Sequence, residues 1–129
     1  MINNIELELL SEAYLIGKTL NKTPLSFNDP DQFISIISDD YYNTIICPIH
    51  FKKCFMFQIS NGWRALRIKS TFDFSHSEIL VSILLPLSKE EISVFITSTF
   101  ETDYILIKEF MLDKALKALN EAGHSIIPV

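Results

Sequence analysis

Glycine is scarce: Gly17, Gly62 and Gly123 are the only three in 129 residues, too few and too scattered to build a phosphate-cradling loop. Two cysteines, Cys47 and Cys54, stand seven positions apart, without the short Cys-x-x-Cys spacing of a zinc site or redox pair. They read as free thiols in a reducing compartment. No apolar run approaches the roughly 18 residues of a membrane span, and the opening Met1-Ile2-Asn3-Asn4-Ile5-Glu6 has neither the positive stretch nor the small-residue cleavage site of a secretory leader. Positive charge is in the minority, with 11 Lys and Arg against 16 Asp and Glu and a net charge of -5. That balance argues against nucleic acid or an anionic membrane as partner. Catalytic constellations are lacking too. Cys47 or Cys54 with His50 would make a thiol and a base, but no orienting group or oxyanion loop accompanies them, and Cys47 falls within an apolar strand-like run. His50, His76 and His124 lie in unlike elements, so metal binding is not expected. The reading is of a cytoplasmic protein that is no enzyme and carries no cofactor.

What is present is apolar residues at 48% against 21% charged, enough to bury a core and too apolar for disorder. The clearest stretch is Ile92 to Ile126. Ile92, Val94, Ile96, Ser98 and Phe100 alternate with Ser93, Phe95, Thr97 and Thr99, β-branched or aromatic almost throughout, as a strand requires. A break at Glu101 and Thr102 precedes Asp103, Tyr104 and Ile105-Leu106-Ile107, which predicts a hairpin. Leu112, Ala115, Leu116, Leu119 and Ala122 then switch to a helical period, with Gly123 placed for a left-handed C-cap and His124 to Ile127 free to return as a strand. A competing pattern exists: Ser88-Lys89-Glu90-Glu91 has capping-box form, and Ile92, Phe95, Ile96 and Phe100 fit one helical face, so a helix over 89–100 is the alternative. The composition of the run favours the strand.

Upstream, Trp63 to Lys69 reads as a strand, Ser75 with Glu78 as a capping box opening a helix at His76, and Ile79, Leu80, Ile83, Leu84 and Leu87 as its apolar face, with Pro86 expected to weaken or end it. Residues 63–127 therefore spell β-α-β-β-α-β, the ferredoxin-like α+β arrangement of four antiparallel strands with two helices on one face. Residues 1–61 are less legible. Ile5 to Ile16 fits two short strands or one helix, with Asn3 or Asn4 as a cap in the second case. Asn28 to Asp31 reads as a turn or helix start, Phe33–Ile37 and Thr44–Ile49 as strands, and Ser38 to Asn43 as the turn between them. Lys52-Lys53 reads as a solvated turn. Asn61-Gly62, after Phe55 to Ser60, signals a hairpin turn or the entry to a new unit, and the domain boundary is placed there: 1–61 and 62–129.

The strings Gly62-Trp63-Arg64-Ala65-Leu66-Arg67-Ile68, Asp73-Phe74-Ser75, Ile92-Ser93-Val94-Phe95, Ser98 to Ile107 and Ala118 to His124 together resemble the small bacterial ACT-domain proteins, whose module is similar to those of the CASTOR arginine sensors. The match covers about half the chain; Phe33 to Ile36 and Ile45 to Pro48 resemble the family only in outline. The resemblance implies tandem ACT-like units, the first of them degenerate. It implies a regulatory role, with an amino acid or similar small molecule bound where modules meet, at the loop between the first strand and first helix. Here that loop is Ser70 to Ser77, with Ser70-Thr71 where the family carries Gly-Pro. A loop feeding a helix N-terminus also presents free N–H groups and a positive dipole end to a carboxylate.

The candidate ligand residues are Asp73, Phe74, Ser75, Ser77, Ser98, Thr99 and Asp103. Ser75 and Ser77 could donate hydroxyls, and Asp73 or Asp103 could receive an ammonium or guanidinium group. Each has a plainer reading as well: Ser75 as a helix cap, Asp103 as an Asx-type turn cap, Ser98 and Thr99 as strand residues, Trp63 as a packing anchor. Sheet edges that need covering point to a homodimer. The rival function is a protein-binding module of secretion-chaperone or toxin-neutralising type, with no small-molecule ligand.

Overall fold

The computed structural model describes residues 2–26, 31–51, 55–69 and 75–129. Strands β1 (Glu6–Leu20), β2 (Ser35–Ser38), β3 (Tyr42–Pro48) and β4 (Gln58–Ile68) precede helix α1 (His76–Lys89). Then follow β5 (Val94–Ser98), β6 (Asp103–Lys108), a 3-10 turn (Glu109–Met111), helix α2 (Leu112–Glu121) and β7 (Ser125–Pro128). The chain divides into two units, Met1–Ser11 with Arg64–Val129 and Glu12–Trp63. The division therefore differs from a single cut after residue 61.

In the first unit the strand order is β7-β1-β4-β6-β5. The β-α-β-β-α-β order expected over 63–127 is present as β4-α1-β5-β6-α2-β7. One difference from a plain four-stranded sandwich is that the start of β1 lies between β7 and β4, and β7 runs parallel to it, Glu6 facing Ser125 and Leu9 facing Pro128. Burial explains the insertion: Ile5 and Leu7 are sealed in the same core as Leu66 and Ile68 of β4 and Ile105 and Ile107 of β6. Ile79, Ile83 and Leu87 of α1 and Ala115 and Leu119 of α2 close that core, so both helices cover one face of the sheet. Each large aliphatic side chain sealed there contributes about 1.5–3 kcal/mol of transfer free energy.

The helix proposed as an alternative over 89–100 does not form. Ser88 to Glu91 is a helix end: Glu91 turns left-handed at φ 57, and the Ile92 N–H reaches back to the Leu87 carbonyl at 3.0 Å, the six-to-one bond of a Schellman motif. Ile92 is then buried, and β5 pairs with β6 antiparallel from Val94 opposite Ile107 to Ser98 opposite Asp103. The same motif ends α2, with Gly123 at φ 94 and the His124 N–H on the Leu119 carbonyl. Pro86 neither ends nor shortens α1, which continues to Lys89. A proline there removes the donor to the Ser82 carbonyl, and that oxygen is instead met by His124 Nε2 at 2.9 Å. The ring's other nitrogen, Nδ1, accepts from the Ile5 N–H at 3.2 Å. An acceptor on one side and a donor on the other fix the neutral Nε2–H tautomer of this buried imidazole.

The second unit is a sheet in the order β2-β3-β1-β4 with no helix among its described residues. The segment left open between two strands and a helix is one strand, β1, paired antiparallel with β3 from Tyr14 opposite Pro48 to Leu20 opposite Tyr42. Asn4, which belongs with Gly123 to the first unit, is no helix cap: it stands at φ 63 and its N–H donates to the Gly123 carbonyl. Asn61-Gly62 is no hairpin turn either. Strand β4 runs through it, Gly62 absorbing the irregularity at φ 78. β2 and β3 form a hairpin whose turn is tied by Asp39, the carboxylate accepting from the Tyr41 and Tyr42 N–H groups at 2.9 Å each. Leu15, Ile45, Cys47 and Met56 make the core of this unit. The segments Asn28 to Pro30 and Lys52 to Cys54, read from sequence as turns and a thiol, lie outside the described residues.

A candidate ligand site at the start of α1

Residues at one end of the first unit's sheet converge on Asp103. The pairing of Ser98 with Asp103 closes β5 and β6, and Asp103 shares the helix-facing side of β6 with Ile105 and Ile107. Its carboxylate is 3% exposed and is held by two partners: the Ser98 hydroxyl donates to Oδ1, and Nε2 of His76 meets Oδ2. His76 is the first residue of α1, and its side chain is 69% exposed. Ser75 caps the helix, accepting from the Glu78 N–H at 3.3 Å, and its Oγ lies 3.3 Å from that of Ser77.

The hairpin tip is tied by Thr99. Its hydroxyl oxygen accepts from the N–H groups of Glu101 and Thr102 at 3.2 Å each, and its own N–H donates to the Thr102 carbonyl at 2.8 Å. The Thr102 hydroxyl in turn donates to the Ile68 carbonyl at the end of β4, so the hairpin is anchored where the chain leaves for α1. A hollow of about 480 Å³ along α1 is lined by Ile2, Ser77, Glu78, Val81 and Ser82.

Of the seven residues singled out in the sequence, Ser98 and Asp103 are joined directly and Ser75 and Ser77 stand together on the first turn of α1. Thr99 is spent on the turn, and Asp73 and Phe74 lie outside the described residues. Asp103 is not the turn cap; that role is Thr99's. His76 escaped sequence reasoning. The one signal available was its place immediately after the capping serine, which points it toward the sheet end, and nothing in the sequence pairs it with a residue 27 positions on.

The arrangement can do two things chemically. A carboxylate buried against a hydroxyl can take a cationic group in place of the exposed imidazole, and the first turn of α1 offers backbone N–H groups to an anion. Elsewhere, Cys47 is fully buried in β3, and His50 is exposed and stands 3.9 Å from Glu12. Among the described residues no group of three His, Cys, Asp or Glu side chains is placed to hold a metal ion, and no helix is long and apolar enough to cross a membrane.

Residues 58–121 match the ACT domain family. Among solved structures, protein Atu0741 from Agobacterium tumefaciens is similar over 99% of this chain and 96% of its own, with 28% identity and a TM-score of 0.88. The ligand-free regulatory subunit of aspartate kinase from Thermus thermophilus covers 90% of this chain and 95% of its own at 13% identity and a TM-score of 0.60. Aspartate kinase from Clostridium acetobutylicum aligns with 88% of this chain over 33% of its own length, at 12% identity and a TM-score of 0.63. The latter two likenesses are of fold alone. With β4, α1, β5, β6 and α2 inside the matched residues and in the order that family requires, this chain is an ACT-domain protein, carrying that regulatory module over residues 58–121.

Proposed function

We propose that this is a non-catalytic regulatory protein whose ACT domain binds an amino acid, or a small molecule with the same head group, at the start of α1. Asp103 receives the ligand's ammonium or guanidinium group, Ser98 orients that carboxylate, and the first turn of α1 with Ser75 and Ser77 receives the ligand's carboxylate. The observation that carries the reading is the burial of Asp103 beside an imidazole that is itself mostly exposed. A buried anion needs a partner, and His76 is free to leave. In this reading the unit Glu12–Trp63, which has no helix among its described residues, is a degenerate ACT-like partner of the matched domain, and the tandem chain works as a cytoplasmic homodimer. The aspartate kinase regulatory subunit of similar fold supports a sensing role over a catalytic one.

The test is a thermal-shift screen of the amino acids against the full chain, followed by calorimetry. A ligand present at a hundred times its Kd stabilises the native state by about 2.7 kcal/mol, so a binder stands out. Asp103→Asn should abolish the response, while His76→Ala, which vacates the carboxylate, should preserve or strengthen it. A folded protein that no amino acid stabilises at millimolar concentration refutes the proposal. The protein-binding alternative draws on β2, which ends its unit's sheet order and leaves Ile36 and Ile37 about half exposed, 45% and 48%. A stoichiometric protein partner without a small-molecule response would favour it.

A further inference from the structure

His76 opens α1, and its Nε2 meets the Asp103 carboxylate on β6 while 69% of its side chain stays exposed. Asp103 is 3% exposed, and its other carboxylate oxygen is taken by the Ser98 hydroxyl. The enclosed acid thus has as its second partner an exposed group that can change its own charge, since an imidazole ordinarily does so between about pH 5 and 8. The ionisable groups on the elements around it, among the described residues, are Asp103 on β6, Glu78 on α1, Glu101 at the hairpin tip and Lys69 at the end of β4, the last beside Glu6 at 3.2 Å. Acids and lysines ordinarily hold their charge over that range, and His76 is the one imidazole in the set. His124, bonded to two backbone groups, and His50, in the other unit beside Glu12, are not part of it.

We infer that His76 is a tethered competitor for the ligand's cationic group, one that makes the site selective for strong cations and regulates it by pH. The inference rests on the reading of Asp103 as the acceptor of the ligand's ammonium or guanidinium group. In acid the ring is an imidazolium and forms a charge-assisted pair with the carboxylate. In mild base it is neutral and leaves one hydrogen bond from Nε2–H. The positive end of α1 opposes a cation at this position, so the carboxylate is what holds the imidazolium there. A neutral head group cannot replace an imidazolium on a buried carboxylate, whereas an ammonium or guanidinium keeps its charge when the ring has lost its own. Ligand affinity therefore rises with pH through the imidazole range, and filling the site releases the His76 ring to solvent.

The test is calorimetry with L-lysine and L-arginine at about pH 5.5 and about pH 7.5, either side of an ordinary imidazole's midpoint, at one ionic strength. It uses the full wild-type chain and His76→Gln, which keeps a polar side chain with no charge to gain. The wild type should bind at least one probe about fivefold more weakly in acid, the worth of an ion pair with one exposed partner. The affinities of His76→Gln at the two pH values should agree to within about twofold. In the wild type the His76 ring resonances should also move as the probe is added, a readout that stands if the variant fails to fold. A wild-type affinity that does not fall in acid, a fall of the same size in His76→Gln, or a ring left unmoved by a bound probe would each overturn the inference while leaving the ligand reading in place. Binding of neither probe overturns the inference too, and the reading of the site falls with it only if the screen of all the amino acids is also blank.

Discussion

His124 is expected to be indispensable to the first unit because Pro86 makes it so. In an unbroken helix the Ser82 carbonyl would accept from the N–H of residue 86; proline has none, and His124 Nε2 fills the vacancy while Nδ1 takes the Ile5 N–H. His124→Phe conserves the ring's bulk in a site only 4% exposed but leaves both backbone groups unpaired. Each unsatisfied buried group costs about 1–3 kcal/mol, and the ring's own added apolarity offsets part of that, so a loss of about 2–4 kcal/mol is expected. The informative variant is the double one. Pro86→Ala returns an N–H to the Ser82 carbonyl, so the cost of His124→Phe should fall by about 1 kcal/mol in that background, the net worth of one hydrogen bond. Urea denaturation by circular dichroism measures the four-member cycle, and hydrogen exchange reports the Ile5 amide directly. That amide should lose protection with His124→Phe in either background, since Pro86→Ala restores only the Ser82 side. Additivity of the two substitutions to within about 0.3 kcal/mol would refute the compensation.

Two further predictions concern the second unit. The Asp39 carboxyl is held below its ordinary 3.8, first by the Tyr41 and Tyr42 N–H groups and to a smaller degree by Lys18. The stability it lends the β2–β3 turn is therefore complete above 3.8 and lost as pH falls through its lower folded value. An NMR titration of the folded protein should place the Asp39 midpoint below 3.8, and a midpoint at or above it contradicts the turn geometry. Gly62 sits at φ 78 inside β4, and a Cβ added there would meet no atom within 4 Å, so the cost of Gly62→Ala is conformational alone. That cost should be about 1 kcal/mol in urea denaturation, and Gly62→Asn should cost less because asparagine tolerates the left-handed region. Equal costs for the two would count against that account.

How much was legible follows from the range of the interactions involved. The alternation from Ile92 to Phe100 and the helical spacing from Leu112 to Ala122 are local, and each matches the observed strand or helix. The capping box at Ser75 and the C-cap at Gly123 need only neighbours a few residues away, and both are found. Ser88 to Glu91 shows the limit of such signals: the same four residues fit a helix start or a helix end, and the burial of Ile92 selects the end. Within the candidate site, Ser98 and Asp103 are paired by a hairpin that the sequence displays, whereas His76 reaches Asp103 only because α1 packs across the sheet.

By itself the sequence determined the β-α-β-β-α-β order and its ACT resemblance, because periodicity and capping are written within a turn or two of chain. Tertiary structure alone decided that β1 is one strand, that its first residues enter the sheet between β7 and β4, that Pro86 is tolerated and that His76 closes over Asp103. In each of these the deciding partner lies far along the chain: Ser125 for Glu6, Pro48 for Tyr14, His124 for Ser82, Asp103 for His76. A backbone donor or a buried charge must find its partner wherever the folded chain supplies one, and local pattern carries no record of where that is.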